Sequence, residues 1–438
     1  MTRPVSVKKP HGRNNAAVVT APWSELSIDA SRCVKCGRCL SVCPVFREST
    51  REPAGARGKL ALIECTASGE VAIASARLKE LISFCLLCGA CAEICPNLVR
   101  GDEIIQRSRE ALSSRQIFSS PTLVALSHIL PFPQRMDNLH KVGQIALSRF
   151  LRKIPGESGL YWRFPLSRAS KLPLFPQLAD KAFLPTRSRQ HDPTSGSVAI
   201  FVGCVSNYIY PHIAEAVLAV LGHLKISVSI PREQGCCGLI AYGLGKMDVV
   251  RRLAKRNIEV FGSTSPGPIV AFCSSCSAHL KSYSTLFADE PWNREALAFS
   301  ERVQDLSEFL TGVGFCSQSD RGTSAPSYRV TFHDPCHLRR KQGIFEEPRQ
   351  LLRSLPEVQF IETGKEALCC GSGGSFGLKH YDVSMRIFQR RYRSIEEEAV
   401  DIVVTSCMGC LLQFINGIHY YNKAIRVKHL AEIMQESL

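Results

Sequence analysis

Gln234-Gly235-Cys236-Cys237-Gly238 and Leu368-Cys369-Cys370-Gly371 each place two adjacent cysteines directly before a glycine. Reading outward from these pairs, the first belongs to Cys204-x31-Cys236-Cys237-x35-Cys273-x2-Cys276. The second belongs to Cys336-x32-Cys369-Cys370-x36-Cys407-x2-Cys410. Corresponding cysteines lie 132, 133 and 134 residues apart, so a single unit is duplicated. In the first copy SVAIFVGC (197–204) reads as a buried strand, followed by a helical AEAVLAVLGHL (214–224) and strand character near ISVSI (226–230). A helix around VVRRLAKRNIEVF (249–261) and a strand PIVAF (268–272) then lead to Cys273. The second copy repeats this with YRVTFHDPC (328–336), RQLLRSL (349–355), VQFIE (358–362), MRIFQRRYRSIEEEA (385–399) and DIVVTS (401–406). Strand-then-helix alternation predicts α/β units with a mainly parallel sheet. The cysteines then gather at the carboxyl edge, where open α/β sheets bind ligands.

Twenty cysteines in 438 residues leave two readings, a secreted disulfide scaffold or a metal and redox protein. The first thirty residues carry no apolar run of the length a secretory signal needs, which favours the second and a cytoplasmic location. With 45% hydrophobic and 21% charged residues, and no run of about 18 apolar residues, a membrane-spanning chain is not expected. Lys plus Arg exceed Asp plus Glu by 54 − 39 = 15. Such a balance suits anionic surfaces and also compensates thiolate-rich clusters.

Residues 1–25 carry Arg3, Lys8, Lys9 and Arg13 without apolar periodicity and read as a disordered basic arm. Residues 26–103 hold nine cysteines between helical stretches, a small helical domain. Residues 104–195 form a Pro-punctuated connector, helical in parts; between Ile104 and Gln190 it has fourteen basic residues against four acids. It reads as a solvated linker or as a basic amphipathic surface for peripheral contact with the inner face of the cytoplasmic membrane. The duplicated domains occupy 196–315 and 316–438. The fold class expected is thus α+β multidomain, a helical domain followed by a duplicated α/β cysteine-rich domain.

In the helical domain, Cys33-x2-Cys36-x2-Cys39-x3-Cys43-Pro44 and Cys85-x2-Cys88-x2-Cys91-x3-Cys95-Pro96 are two complete bacterial-ferredoxin runs for cubane [4Fe–4S] clusters. A single C-x2-C also suits zinc or a redox dithiol; two full runs with both Cys-Pro endings point to iron–sulfur. Three thiolates of one tight loop reach three irons, and in two-cluster ferredoxins the fourth ligand comes from the other run. The assignment is Cys33, Cys36, Cys39 and Cys95 to one cluster, and Cys85, Cys88, Cys91 and Cys43 to the other. The wide separation of the runs resembles the helical ferredoxin module of respiratory dehydrogenase subunits.

The two five-cysteine repeats resemble the cysteine-rich CCG domains shared by heterodisulfide reductase catalytic subunits and the iron–sulfur subunits of glycolate oxidase, anaerobic glycerol-3-phosphate dehydrogenase and lactate-utilisation complexes. Supporting segments are GARGKL (55–60), GCCG (235–238), HDPCHL (333–338) and CCGSGGSFGL (369–378). The resemblance implies electron uptake from a separate FAD-linked 2-hydroxy acid (glycolate or lactate) dehydrogenase and delivery to a membrane quinone or another carrier. Both copies keep all five cysteines, as in heterodisulfide reductases, where each motif holds a non-cubane [4Fe–4S] cluster. One or two further clusters on Cys204, Cys236, Cys237, Cys273, Cys276 and on Cys336, Cys369, Cys370, Cys407, Cys410 are therefore implied. So is the alternative of disulfide reduction, with Cys236, Cys237, Cys369 and Cys370 as candidate catalytic thiols.

His333 and His337 flank Cys336 and read either as cluster-edge residues or as hydrogen-bonded loop histidines. Gly371-x-Gly373 has Phe376 where a dinucleotide loop needs its third glycine, so no NAD site is expected, and no motif for flavin appears. Cys65 and Cys316 fall outside every motif. Basic residues without a nucleic-acid motif leave no expectation of DNA or RNA binding.

Overall fold

The computed structural model describes residues 21–114, 129, 132–150, 152–153, 161–163, 175–187, 197–264, 266–288, 290–315, 327–364 and 368–438. Cys316 and residues 1–20 of the expected arm lie outside them. The helical domain begins earlier than expected, since Ala21–Ser31 is a helix and its Trp23 and Leu26 are buried. This corrects the arm for residues 21–25. An indole beside Leu26 and Ala30 has enough apolar surface to order the segment against Ala56–Ala67. The boundary drawn at residue 103 likewise falls inside a helix, Gly101–Ser114, whose Ile104, Ile105 and Ala111 belong to the same core.

The connector contains the helix Pro133–Phe150, with its proline at the first turn, where the missing N–H costs nothing. It also contains a short antiparallel ribbon of Arg152–Lys153, Tyr161–Arg163 and Phe175–Pro176, which the proline-rich sequence did not disclose.

Each cysteine-rich repeat is a four-stranded sheet. The first comprises β1 (Val198–Phe201), β2 (Val228–Ser229), β3 (Ile269–Ala271) and β4 (Val303–Asp305). The second comprises β5 (Tyr328–Phe332), β6 (Val358–Phe360), β7 (Ile402–Thr405) and β8 (Arg426–His429). The orders are β2-β1-β3-β4 and β6-β5-β7-β8, all parallel, so the duplication extends to topology. Strands β1, β3 and β7 are buried along their whole length, as expected where helices cover both faces. The outermost strands β4 and β8 were not anticipated. Both end in a capping box, Asp305 with Glu308 and His429 with Glu432, and that x-x-Glu spacing was the overlooked signal.

The two repeats share one core and meet at the carboxyl ends of β3 and β7. There the Ser274 backbone N–H donates to Ser406 O (2.9 Å), the two hydroxyls pair at 2.7 Å, and His429 Nε2 meets Phe272 O at 2.8 Å.

Asp305 is fully buried, and its carboxyl accepts from the Ser307 N–H and from the Ser307 and Ser277 hydroxyls. Burial raises its pKa from 3.8 to about 6 despite those donors. The protonated form is thus favoured on folding, and its contribution is present below about pH 4 and lost as pH rises through about 6. Asp305→Asn keeps a cap and removes the buried charge. The variant is expected to be more stable than wild type at pH 7.5, by on the order of 2 kcal/mol, with the gap shrinking at pH 5. Urea unfolding at both values checks this; a destabilised variant at pH 7.5 would disprove it.

Candidate redox centre

The two ferredoxin runs fold alike. Lys35 and Gly37 flank Cys36 with φ of 56° and 82°, and Leu87 and Gly89 flank Cys88 with 54° and 75°. Two left-handed residues around the middle cysteine curl each loop into a cradle whose backbone turns inward. Backbone N–H groups also reach sulfur, Phe46 to Cys43, Leu87 to Cys85 and Val99 to Cys95, each at 3.4 Å.

The fourth cysteine of the first run, Cys43, lies with the second run. Cys43 feels the charges of Cys88 and Cys85, and Cys91 those of Cys85, Cys88 and Cys43, whereas Cys39 feels Cys33 and Cys36. The Asn97 amide, two residues past Cys95, donates to Arg32 O beside Cys33 at 2.8 Å. Burial pushes the Cys43 thiol up to about 12 and raises Cys88 and Cys91. Thiols held so far from water ionise when a metal takes the place of the proton, and the two all-sulfur groups fit iron–sulfur clusters.

Lys59, in the GARGKL segment, is fully buried, and its ammonium donates to Pro53 O (2.8 Å) and Ala54 O. Burial lowers its pKa, while Cys85, Cys43 and Cys91 oppose the shift. It is a fixed cation beside the second group. The buried Arg109 adds another, donating to Ser83 O, Cys85 O and, in the first repeat, Gly243 O.

In each repeat the central strand pair, β1 with β3 and β5 with β7, is where the chain reverses its direction of winding. The crevice between their carboxyl ends is the binding position of open α/β sheets. Cys204 and Cys273 follow β1 and β3; Cys336 and Cys407 follow β5 and β7. The loops after β2 and β6 bring in the paired cysteines. Gly238 and Gly371 both sit at φ 91°, and a Cβ on Gly371 would collide with Ser384 O. That left-handed turn aims the two adjacent cysteines into the crevice. Gly238 N–H then donates to Cys236 Sγ and Gly371 N–H to Cys369 Sγ, both at 3.4 Å.

The structure brings nine of the ten cysteines into one series, with Cys336 feeling the charge of Cys370 and acting on Cys369. Cys204 and Cys236 sulfurs are 3.9 Å apart; Cys236 interacts with Cys237, Cys237 with Cys276, and Cys276 with Cys273. Cys273 then meets Cys407 of the other repeat, Cys407 meets Cys410, Cys410 and Cys370 sulfurs are 3.3 Å apart, and Cys370 adjoins Cys369. Cys369 and Cys336 both feel the charge of Cys88 in the helical domain. Each of Cys237, Cys370 and Cys407 is held down by two neighbouring thiols, Cys237 at about 6, while neighbouring thiols and then burial raise Cys204, Cys276 and Cys410.

Both flanking histidines face this series. A ring nitrogen of His333 lies within 4.8 Å of the Cys370 and Cys410 sulfurs, and Arg391 Nε donates to His333 Nδ1 at 3.3 Å. His337 Nδ1 is 3.1 Å from Ser275 Oγ, which is itself 3.1 Å from Cys407 Sγ. Ser275 and Arg391 were not singled out from the sequence because their roles depend on contacts 132 and 58 residues away. Cys65 stands apart, beside Glu70.

The helical domain docks on the second repeat through CCGSGGSFGL. Phe84 packs on Phe376 and His380, and a Cβ on Gly373 would collide with Leu86, which lies between Cys85 and Cys88. The glycines of that segment therefore admit a neighbouring domain. Ion pairs surround the contact: Lys341–Asp102 at 2.5 Å, Arg340–Glu93 at 2.7 Å and Arg390–Glu48 at 2.6 Å.

Known proteins match the same parts of the chain. Residues 29–99 match the 4Fe-4S dicluster domain, and residues 198–281 and 330–415 each match the cysteine-rich domain CCG. The probable glycolate oxidase iron-sulfur subunit of Bacillus subtilis is 29% identical over 416 residues, covering 92% of this chain and 93% of that protein. Lactate utilization protein A of an Exiguobacterium species is 31% identical over 243 residues, 55% of this chain and 98% of that protein. A fumarate reductase (CoM/CoB) subunit of Methanothermobacter marburgensis is 28% identical over 410 residues, 92% of this chain and 71% of that protein. A hypothetical protein from Helicobacter pylori shares the fold, with a TM-score of 0.53 at 10% identity over 96% of this chain and 73% of that one.

Proposed function

Because the chain belongs to the CCG-domain family of iron–sulfur oxidoreductase subunits, we propose that it accepts electrons from a separate FAD-linked glycolate or lactate dehydrogenase and passes them to a quinone or another carrier. The observation carrying this reading is the closeness of the cysteines from the ferredoxin loops through both repeats, Cys88 acting on Cys336 and Cys369, and Cys273 on Cys407. Cys33, Cys36, Cys39 and Cys95 would hold one cubane and Cys43, Cys85, Cys88 and Cys91 the other; the two five-cysteine sets suit further clusters. Bound [4Fe–4S] clusters exchange electrons one at a time. The chain's own residues keep those thiolates out of water, and Lys59, Arg109 and Arg340 supply compensating positive charge. Among the described residues no helix is long and apolar enough to cross a membrane, so the contact with a membrane quinone would be peripheral.

The completeness of both five-cysteine sets supports a second reading, reduction of a disulfide at the repeats. One experiment separates the two. The anaerobically purified chain is mixed with the flavin dehydrogenase and its hydroxy acid, and bleaching of the iron–sulfur absorption is followed. Bleaching is expected only with the dehydrogenase present; flavin bound to this chain alone would defeat the reading. In Cys370→Ser, an electron conduit loses throughput to every acceptor, whereas a disulfide reductase loses disulfide reduction alone.

A further inference from the structure

We infer that the loop around Cys36, with Val34 and Leu98 standing out beside it, is the docking face for the flavin-bearing donor protein, which meets it with an apolar seat and an acidic rim. This rests on the donor reading above and gives the donor a place on the chain.

The chain itself holds a precedent for such a face. Its two ferredoxin runs correspond position by position, Cys33-Val34-Lys35-Cys36-Gly37 to Cys85-Leu86-Leu87-Cys88-Gly89 and Cys43-Pro44-Val45 to Cys95-Pro96-Asn97. The left-handed residues around each middle cysteine show that the backbones correspond as well. In the second run the residue after the first cysteine, Leu86, is only 6% exposed; it packs with Val45, Phe376 and Ile387, close against Gly373 of the second repeat. Its counterpart Val34 is 63% exposed. Two like loops therefore carry a like apolar knob, one seated in a protein wall and the other facing solvent.

Leu98 joins Val34. It is 76% exposed and its backbone is left-handed, with φ 53°, a conformation that a leucine rarely adopts. The preceding Asn97 amide donates to Arg32 O at 2.8 Å, which ties this segment to the start of the first loop. Backbone strain of this kind gathers at functional sites. Cys36, two residues past Val34, is exposed, whereas every other described cysteine is buried or half-buried. The group of Cys33, Cys36 and Cys39 is thus the one most open to a partner.

Charge selects the partner. At the internal contact the helical domain contributes the acids Glu48, Glu93 and Asp102, and the second repeat contributes the bases Arg390, Arg340 and Lys341. Around Cys36 the sign reverses: Arg32, Lys35 and Arg38 are exposed, and the chain has no acid between Asp29 and Glu48. Lys35 approaches Glu64 at 3.9 Å, an ion pair at the surface. A basic rim repels the basic second repeat of another copy and favours a partner with acids around its seat. A tight loop with a single knob suits a protein wall, whereas a bilayer is met by an amphipathic helix. The electrons that cross this face come from the hydroxy acid. Its alcohol carbon becomes a carbonyl carbon, two electrons and two protons pass to the flavin, and the reduced flavin gives the electrons singly to this chain and both protons to water.

The test uses the full chain with its clusters and the flavin dehydrogenase supplied with glycolate or lactate. Val34→Asp and Leu98→Asp set a carboxylate against the acidic rim, and aspartate accepts a left-handed backbone better than leucine does. Each should raise the Kd of the complex, measured by analytical ultracentrifugation, roughly tenfold. The chain concentration that half-saturates bleaching should rise by the same factor, with iron content and bleaching by dithionite unchanged. Arg38→Glu should act alike, and high salt should weaken the wild-type complex. Val313→Asp, at an exposed apolar residue of the first repeat, should change neither quantity. Should Val34→Asp lose iron, Leu98→Asp and Arg38→Glu carry the test. If the dehydrogenase binds and reduces wild type and variants alike, the face is wrong and the donor reading stands. If it neither binds nor reduces the wild type, the donor reading fails and the face with it. If the wild type sediments with vesicles of phosphatidylglycerol and phosphatidylcholine and the two aspartate variants release it, with the dehydrogenase complex unchanged, the face belongs to lipid and the proposal falls.

Discussion

Cys43→Ser is expected to abolish the centre formed by Cys85, Cys88 and Cys91 and to leave that of Cys33, Cys36 and Cys39 intact. In sequence Cys43 closes the first run, so the uncrossed expectation is the opposite. The structure places its sulfur among the charges of Cys88 and Cys85, next to Lys59. It also ties the end of the second run to the first through the Asn97–Arg32 hydrogen bond. After anaerobic purification, the variant should lose about four irons per chain. Its electron paramagnetic resonance spectrum should match that of Cys88→Ser and differ from that of Cys36→Ser. A spectrum matching Cys36→Ser would return Cys43 to its own run and refute the crossing.

Lys59→Met should be the most damaging substitution outside the cysteines. The ammonium is fully buried, it satisfies two backbone carbonyls, and its neighbours are the thiols of Cys85, Cys43 and Cys91. Methionine has similar length without the charge, so packing is largely kept and electrostatics are lost. Leaving buried acceptors unpaired costs about 1–3 kcal/mol each. Removing a cation also makes each added electron less favourable, so the reduction potential of that centre should fall, by about 59 mV for each tenfold change in its equilibrium. Thermal unfolding and a potentiometric titration followed by resonance spectroscopy measure the two effects. An unchanged potential would mean that Lys59 is a structural tie alone.

How far these features were legible in the chain depends on the range of the interaction behind them. The ferredoxin loops are local: x2 spacing with glycine after the middle cysteine dictates the left-handed pair at Lys35 and Gly37, and again at Leu87 and Gly89. The paired-cysteine turns are local in the same way, which is why Gly238 and Gly371 share one φ. Strands β1, β3 and β7 are runs buried along their whole length, readable because both faces are covered, whereas β5 is buried only from Val330 on. Edge strands β4 and β8 are shorter on apolar signal, since Gln304, Arg426 and Lys428 interrupt them, and they became visible only through pairing. Trp23 illustrates the converse. A stretch without periodicity reads as an arm, yet one large side chain finds a core built by residues 60 to 111.

The amino-acid sequence by itself determined the duplication, the class of each domain and the cysteines that matter, because spacing along a chain survives without any knowledge of contacts. Tertiary structure alone decided which cysteines stand together. It joined Cys273 to Cys407, set Cys88 beside Cys336 and Cys369, and turned a glycine-rich stretch into a seat for Leu86. These are contacts between residues more than a hundred positions apart. They follow from how two sheets and a helical domain bury their faces against one another, a balance of packing and desolvation that no local pattern encodes.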